Sequence, residues 1–184
     1  ITLAGRLVGK DTTPTGTTDF TATIAKIKKS KATAVIYTGY FSQAAVLVKQ
    51  LRDSGSKVAF AAGDGVLDDQ FIKLARKSAE GVLLSAPAIP METASAKLAA
   101  EMVKAGWKPG VYTTESYDAA NFFFAAIKAG NTDRASINKY VSTKSFKGLS
   151  KTLKFDAQGE VSGADVNGFV IKNGKIVLLG AIKA

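Results

Sequence analysis

Short apolar runs rich in β-branched residues alternate with helix-patterned segments across the first hundred residues, and few folds accept that order. Residues 32–38 (ATAVIYT) have the length and composition of a buried parallel strand, and residues 57–62 and 81–86 (GVLLSA) repeat the pattern. Between them, Ser42 is expected to cap a helix with Ala45, Val48 and Leu51 on one face, ended by Gly55. Asp68 or Asp69 starts a helix through Phe71, Ile72, Leu74 and Ala75. Residues 6–12 read as a further strand, and Thr18 or Asp19 as the cap of a helix carrying Phe20, Ile24 and Ile27. Thr93 or Ser95 caps one through Leu98, Met102 and Val103. Regular β-α alternation with short loops predicts an α/β fold with a doubly wound parallel sheet. A ligand site is then expected beyond the carboxyl ends of the strands, which carry residues 37–41, 63–65 and 85–87.

After Pro109 the pattern changes. Residues 116–129 read as an apolar helix with a Phe122-Phe123-Phe124 run, stopped by Gly130, and Thr132 or Asp133 caps another to about Val141. Three short strands follow, near residues 151–155, 166–171 and 175–179, with turns at residues 156–159 and at Asn173-Gly174. These are added pieces rather than another βα repeat.

Composition removes several function classes. With no Cys there is no disulfide framework, thiolate nucleophile or zinc knuckle. With no His there is no Ser-His-Asp triad and no imidazole metal site. The formal charge of +10 comes from 21 Lys and only four Arg, scattered along the chain. Specific phosphate and base recognition favours the planar fork of Arg, so a solvated Lys-rich surface is expected and no nucleic-acid partner. No stretch approaches the roughly 20 apolar residues of a membrane span. Ile1 opens the chain without a charged leader, as in a mature or trimmed form.

Few groups carry chemistry. Gly63-Asp64-Gly65 is compatible with a bare tight turn or with a carboxylate presented at a strand end to a ligand cation. Tyr37-Thr38-Gly39-Tyr40-Phe41 supplies either packing or the aromatic wall of a pocket. Asp68-Asp69 reads as a cap, with no further metal ligands nearby. Glu115 and Asp118 share a helix face without a partner for acid-base work. The three phenylalanines are expected in the core and Trp107 as a loop anchor. No phosphate loop and no dinucleotide fingerprint is present. Neither catalytic residues, nor a metal, nor a cofactor is expected.

In order and spacing, the strand ending Tyr-x-Gly-Tyr, the Gly-Asp-Gly loop, the Ala-Glu-Gly-Val strand entry and the Ser-Tyr-Asp-Ala-Ala helix start are specific together. With the later FDAQGEVSG segment, the chain resembles the type I periplasmic binding proteins, and more narrowly the leucine/isoleucine/valine receptors of ABC transporters. The resemblance implies two α/β lobes joined by three crossovers, with a small-molecule ligand closed between them. By position it implies that Tyr40 covers the ligand side chain, that Asp64 takes the ligand α-ammonium, and that Tyr112 is a second aromatic contact.

Most members of that family are about twice this length. The resemblance therefore implies that an N-terminal lobe is missing, and that residues 1–5 read as the end of the second lobe's first helix. Residues 1–110 are expected to form the second-lobe sheet domain. Residues 111–150 would be a crossover and helices belonging to the first lobe, with apolar surface exposed around residues 116–145. Residues 151–184 would be C-terminal strands and a hairpin near the hinge. The implied function is a non-enzymatic, exported and membrane-anchored receptor, periplasmic or extracellular, that delivers an amino acid to a permease. A sensor of the same fold for amides or aromatic acids is the alternative.

Overall fold

The computed structural model describes residues 5–161 and 165–182. The helices are α1 Thr21–Ser30, α2 Phe41–Asp53, α3 Asp69–Ala75, α4 Met91–Ala94, α5 Ala96–Lys104, α6 Thr113–Lys128 and α7 Arg134–Thr143. The strands are β1 Ala34–Tyr37, β2 Ala59–Ala62, β3 Leu83–Ala86, β4 Phe146–Lys147, β5 Thr152–Leu153, β6 Asn167–Lys172 and β7 Lys175–Ala181. The chain divides into two compact units, one of residues 1–86 and 166–184, the other of residues 87–165.

The first unit is built on a five-stranded sheet in the order β1-β2-β3-β6-β7. Strands β1, β2 and β3 run parallel, as the alternation predicts, and β6 and β7 close the sheet antiparallel. The β6–β7 hairpin turns at Asn173-Gly174, both at positive φ (53° and 67°), the backbone that a two-residue hairpin turn requires. On one face of the sheet Phe60, Ala62, Leu84 and Phe169 are buried. Helix α2 buries Ala44, Leu47, Val48 and Leu51, and Phe71 and Ala75 of α3 are buried as well. Each fully buried Leu or Val contributes about 1.5–3 kcal/mol. The register places Ile36, Ala61, Leu83, Val170 and Val177 in one row on the other face, and none of the five is buried.

In the second unit α6 turns one line of side chains inward at four-residue spacing: Thr114, Asp118, Phe122 and Ala126. Phe122 stacks on Phe146 of β4 (centroids 5.2 Å apart) and meets Tyr140 of α7 edge-on at 6.2 Å. Asp133 caps α7 in a capping box with Ser136, as its sequence position suggests.

Several expectations change. Residues 6–12 form no strand; Leu7 is 82% exposed, with no neighbouring strand to pair. Helix α2 starts at Phe41 with no side-chain cap, so Ser42 lies inside its first turn. Successive helical residues turn by about 100°, so of the three phenylalanines only Phe122 reaches the core, while Phe123 and Phe124 are exposed. Trp107 is 70% exposed rather than buried as a loop anchor. Helix α4 and strand β4, four and two residues long, are too short to carry a periodic signal in the sequence. The expected helix end at residues 1–5 lies outside the described residues except for Gly5. The exposed apolar surface expected around residues 116–145 is present, as Tyr117, Phe123, Phe124 and Ile127.

Candidate functional site

Parallel strands deliver their following loops to one edge of the sheet, and here the loops after β1 and β2 touch backbone to backbone. A Cβ at position 65 would lie 2.7 Å from the carbonyl oxygen of Gly39 and 3.3 Å from Cδ1 of Tyr40. Glycine at 65 is what lets the two loops approach this closely. The contact sets the ring of Tyr40 beside the turn that carries Asp64. That turn is a single 3₁₀ turn, Asp64–Val66, anchored by the buried Val66 and Leu67. Asp68 then caps α3 by accepting from the Gln70 amide at 2.7 Å.

Tyr40 is 73% exposed and Asp64 is also exposed. An exposed aromatic ring and the turn that carries an exposed carboxylate thus adjoin at the carboxyl end of the sheet, where an open α/β sheet holds its ligands. The pair can cover an apolar group and accept charge-assisted hydrogen bonds from a cation. Beneath them, Tyr37 stacks on Phe60 with centroids 6.1 Å apart. Its hydroxyl occupies the space a Cβ at position 39 would take, 2.5 Å away. Burial pushes the Tyr37 phenol above its ordinary value.

Tyr112, the third residue singled out by sequence, belongs to the other unit, where it is the N-cap of α6. The loops of Tyr40 and Asp64 are therefore brought together in the first unit, and Tyr112 lies in the second. Along the first turns of α6 lie Glu115 and Asp118, the pair the sequence places on one helix face, together with Thr114, which the sequence does not mark out. Thr114 donates to the Ile89 carbonyl at 2.8 Å, and the Ile89 amide donates to Glu115 Oε1 at 2.9 Å. The first turn of α6 thereby fixes the segment that enters the unit from β3. The second carboxylate oxygen of Glu115 is buried without a hydrogen-bond partner among the described residues.

Asp118 is buried and accepts from the Leu149 and Ser150 amides, each at 2.7 Å, and from the Ser150 hydroxyl at 2.5 Å. A Cβ at Gly148 would overlap its carboxylate. Asp118 is therefore a structural anchor for the loop after β4. Its signal in the sequence was a charged residue four positions from both Thr114 and Phe122 on one helical line. Among the described residues no group of acidic side chains is arranged to hold a metal ion, and no helix is long and apolar enough to cross a membrane.

Comparison with known proteins places this geometry in context. A family model described as "Periplasmic binding protein" matches residues 2–175. The Leu/Ile/Val-binding protein homolog 1 of Brucella abortus (strain 2308) is 32% identical over 151 residues, covering 79% of this chain and 40% of that protein. The crystal structure of a leucine-binding protein from Thermotoga maritima superposes with a TM-score of 0.78 at 26% identity, covering 91% of this chain and 49% of that one. A branched-chain amino acid transporter substrate-binding protein from Streptococcus pneumoniae, solved with isoleucine, has the same fold with a TM-score of 0.76 at 24% identity. It covers 90% of this chain and 50% of that one. The chain thus spans about two fifths of the curated relative and about half of the solved structures.

Proposed function

The chain belongs to the periplasmic binding protein family, and from that premise we propose that it is part of an extracytoplasmic receptor for a branched-chain or related amino acid. The receptor delivers its ligand to the permease of an ABC transporter and performs no chemistry on it. It works in the periplasm or, membrane-anchored, at the cell surface. The observation that carries the reading is the packing of Tyr40 against Gly65, which sets an aromatic face beside Asp64 at the carboxyl ends of β1 and β2.

Asp64 accepts hydrogen bonds from the ligand α-ammonium, Tyr40 covers its apolar side chain, and Tyr112 supplies a second aromatic contact. The ligand carboxylate is held by an N-terminal lobe outside this sequence. In this reading residues 1–110 are the second lobe, residues 111–150 a crossover and helices of the first lobe, and residues 151–184 the strands near the hinge. The exposed Tyr117, Phe123, Phe124 and Ile127 support it, because they are an apolar surface suited to burial against the rest of a first lobe. Ligand contacts from both lobes favour a closed state, which the permease distinguishes from the open one.

The test is a thermal-shift screen of the full-length gene product against leucine, isoleucine, valine, aliphatic amides and benzoate. The reading expects stabilisation by the branched-chain amino acids and loss of most of it in Asp64→Ala. A shift with amides or benzoate alone would assign the protein to the sensor alternative. Unchanged leucine affinity in Asp64→Ala would remove the ammonium assignment.

A further inference from the structure

We propose that the Tyr37 hydroxyl is a further ligand contact of this half-site, accepting a hydrogen bond from the ligand ammonium beside Asp64. The inference rests on the amino-acid reading above and adds a residue to it. Tyr37 is the last residue of β1, on the sheet face that also carries Phe60 and Ala62. Its ring is packed on Phe60, and its hydroxyl reaches past the end of the strand to lie over Gly39. Gly39 in turn presents its carbonyl to Gly65, and Gly65 adjoins Asp64. The phenol is thus one backbone layer from the loop that carries the carboxylate.

Two features separate this hydroxyl from an ordinary packed tyrosine. It makes no hydrogen bond to another described residue and is not one of their buried unpartnered oxygens, so although the ring is half-buried the hydroxyl is open to solvent and to a ligand. The position next to it is also kept free of a side chain. Any residue larger than glycine at 39 would push the phenol away from the strand end.

The chemistry of the ligand supplies the partner. An ammonium group has three N–H donors pointing to the corners of a tetrahedron, and a single carboxylate does not satisfy all three from one side. A neutral hydroxyl oxygen at the same strand end, packed over the Gly39 that touches Gly65, would satisfy another without adding charge. The strand end then reads the ammonium twice, through one charged and one neutral acceptor. A ligand without an ammonium gains nothing from the second.

The test is isothermal titration of the full-length protein and its Tyr37→Phe variant with leucine, isoleucine, valine and benzoate, together with the melting temperature of each unliganded protein. Tyr37→Phe removes one oxygen and keeps the ring on Phe60. The expected result is about a ten- to hundred-and-fifty-fold weaker affinity for the amino acids, the range for losing a hydrogen bond to a charged group, with melting unchanged within a degree or so. Leucine should also move the ¹³Cζ resonance of Tyr37 in the wild-type protein, a readout independent of any loss of stability in the variant. Equal leucine affinity in the two proteins, or a Tyr37 resonance that saturating leucine leaves in place, would overturn the Tyr37 contact alone. A wild-type protein that binds benzoate and no amino acid would overturn the amino-acid reading and the ammonium bond with it.

Discussion

Two glycines, two positions apart in one loop, should respond in opposite directions to the same substitution. At Gly65 an added methyl would stand 2.7 Å from the Gly39 carbonyl oxygen and 3.3 Å from Tyr40 Cδ1. Close C···O contacts in proteins settle at about 3.3–3.6 Å, so the loop after β1 must recede by roughly 0.6 Å or the turn at Asp64 must open. Overpacking of this kind costs about 1–3 kcal/mol. At Gly63 an added methyl meets nothing within 4 Å, and φ −83°, ψ −170° is backbone that alanine adopts. Gly63→Ala should therefore be neutral or stabilising by about 0.4–1 kcal/mol, through the unfolded chain. At about 2–4 °C per kcal/mol for a protein of this size, the two variants should melt several degrees apart. Ligand affinity should separate them as well. Displacing Tyr40 from Asp64 by half an ångström should weaken leucine binding by about tenfold in the full-length protein, whereas Gly63→Ala leaves it unchanged. Paired melting curves and titrations read both effects. If Gly65→Ala matches Gly63→Ala in stability and affinity, the loop contact does not hold the half-site together and the geometric argument fails.

Asp118→Asn should lower stability by about 3 kcal/mol or more in urea unfolding, because a carboxylate that accepts three hydrogen bonds is replaced by a group whose NH₂ faces donors. Gly148→Ala should reproduce that loss by displacing the same carboxylate, and the double variant should cost less than the sum of the singles. The folded state should weaken in acid. Bonds from the side chains of Lys26, Thr21 and Ser136 hold Asp11, Asp19 and Asp133 below the ordinary 3.8, so the stability they contribute is present above that value. It is lost as pH falls through the lower folded values, so urea midpoints measured from pH 6 downward should drop below about pH 4. The raised Tyr37 phenol acts at the other end: its contribution is complete below pH 10 and lost as pH rises beyond it.

What was legible in the sequence was local. Strands β1, β2 and β3 announce themselves as short β-branched or alanine-rich runs between helix-patterned segments, and Asp68, Ser95 and Asp133 cap where their positions suggest, whereas α1 and α2 begin without a side-chain cap. What failed needed information from elsewhere in the chain. Residues 6–12 have strand composition but no neighbour to pair with, and composition cannot supply one. Phe122, Phe123 and Phe124 are equivalent as letters, and the 100° helical step decides that only the first joins the line of Thr114 and Asp118. The antiparallel pairing of β6 with β3 joins residues more than 80 positions apart, beyond any periodicity. The family resemblance marks out Tyr40 and Asp64, but the contact that brings their loops together is between two glycine backbones. A glycine in a loop looks the same whether it serves φ or close approach.

The exposure of Asp64 and Tyr40 decides what this chain can do by itself. An ion pair formed by an exposed carboxylate is worth about 0–1 kcal/mol, because water competes for both charges and salt screens them. One exposed aromatic face covers only one side of a ligand side chain, so most of the ligand's apolar area stays wet. Even both together fall short of the roughly 4 kcal/mol that millimolar affinity represents. The same carboxylate becomes a strong recognition element once a second surface excludes water, since the Coulomb energy of a contact pair grows several-fold as the effective dielectric falls from that of water to about 20. On the proposed function, affinity at these residues is therefore coupled to closure, and the ligand stabilises the closed form by the amount the closed form strengthens its bonds. Leucine titrated into residues 1–184 alone should give no saturation below millimolar concentrations, while the full-length protein saturates far lower. Tight leucine binding by the isolated chain would show that Tyr40 and Asp64 belong to a complete pocket rather than half of one.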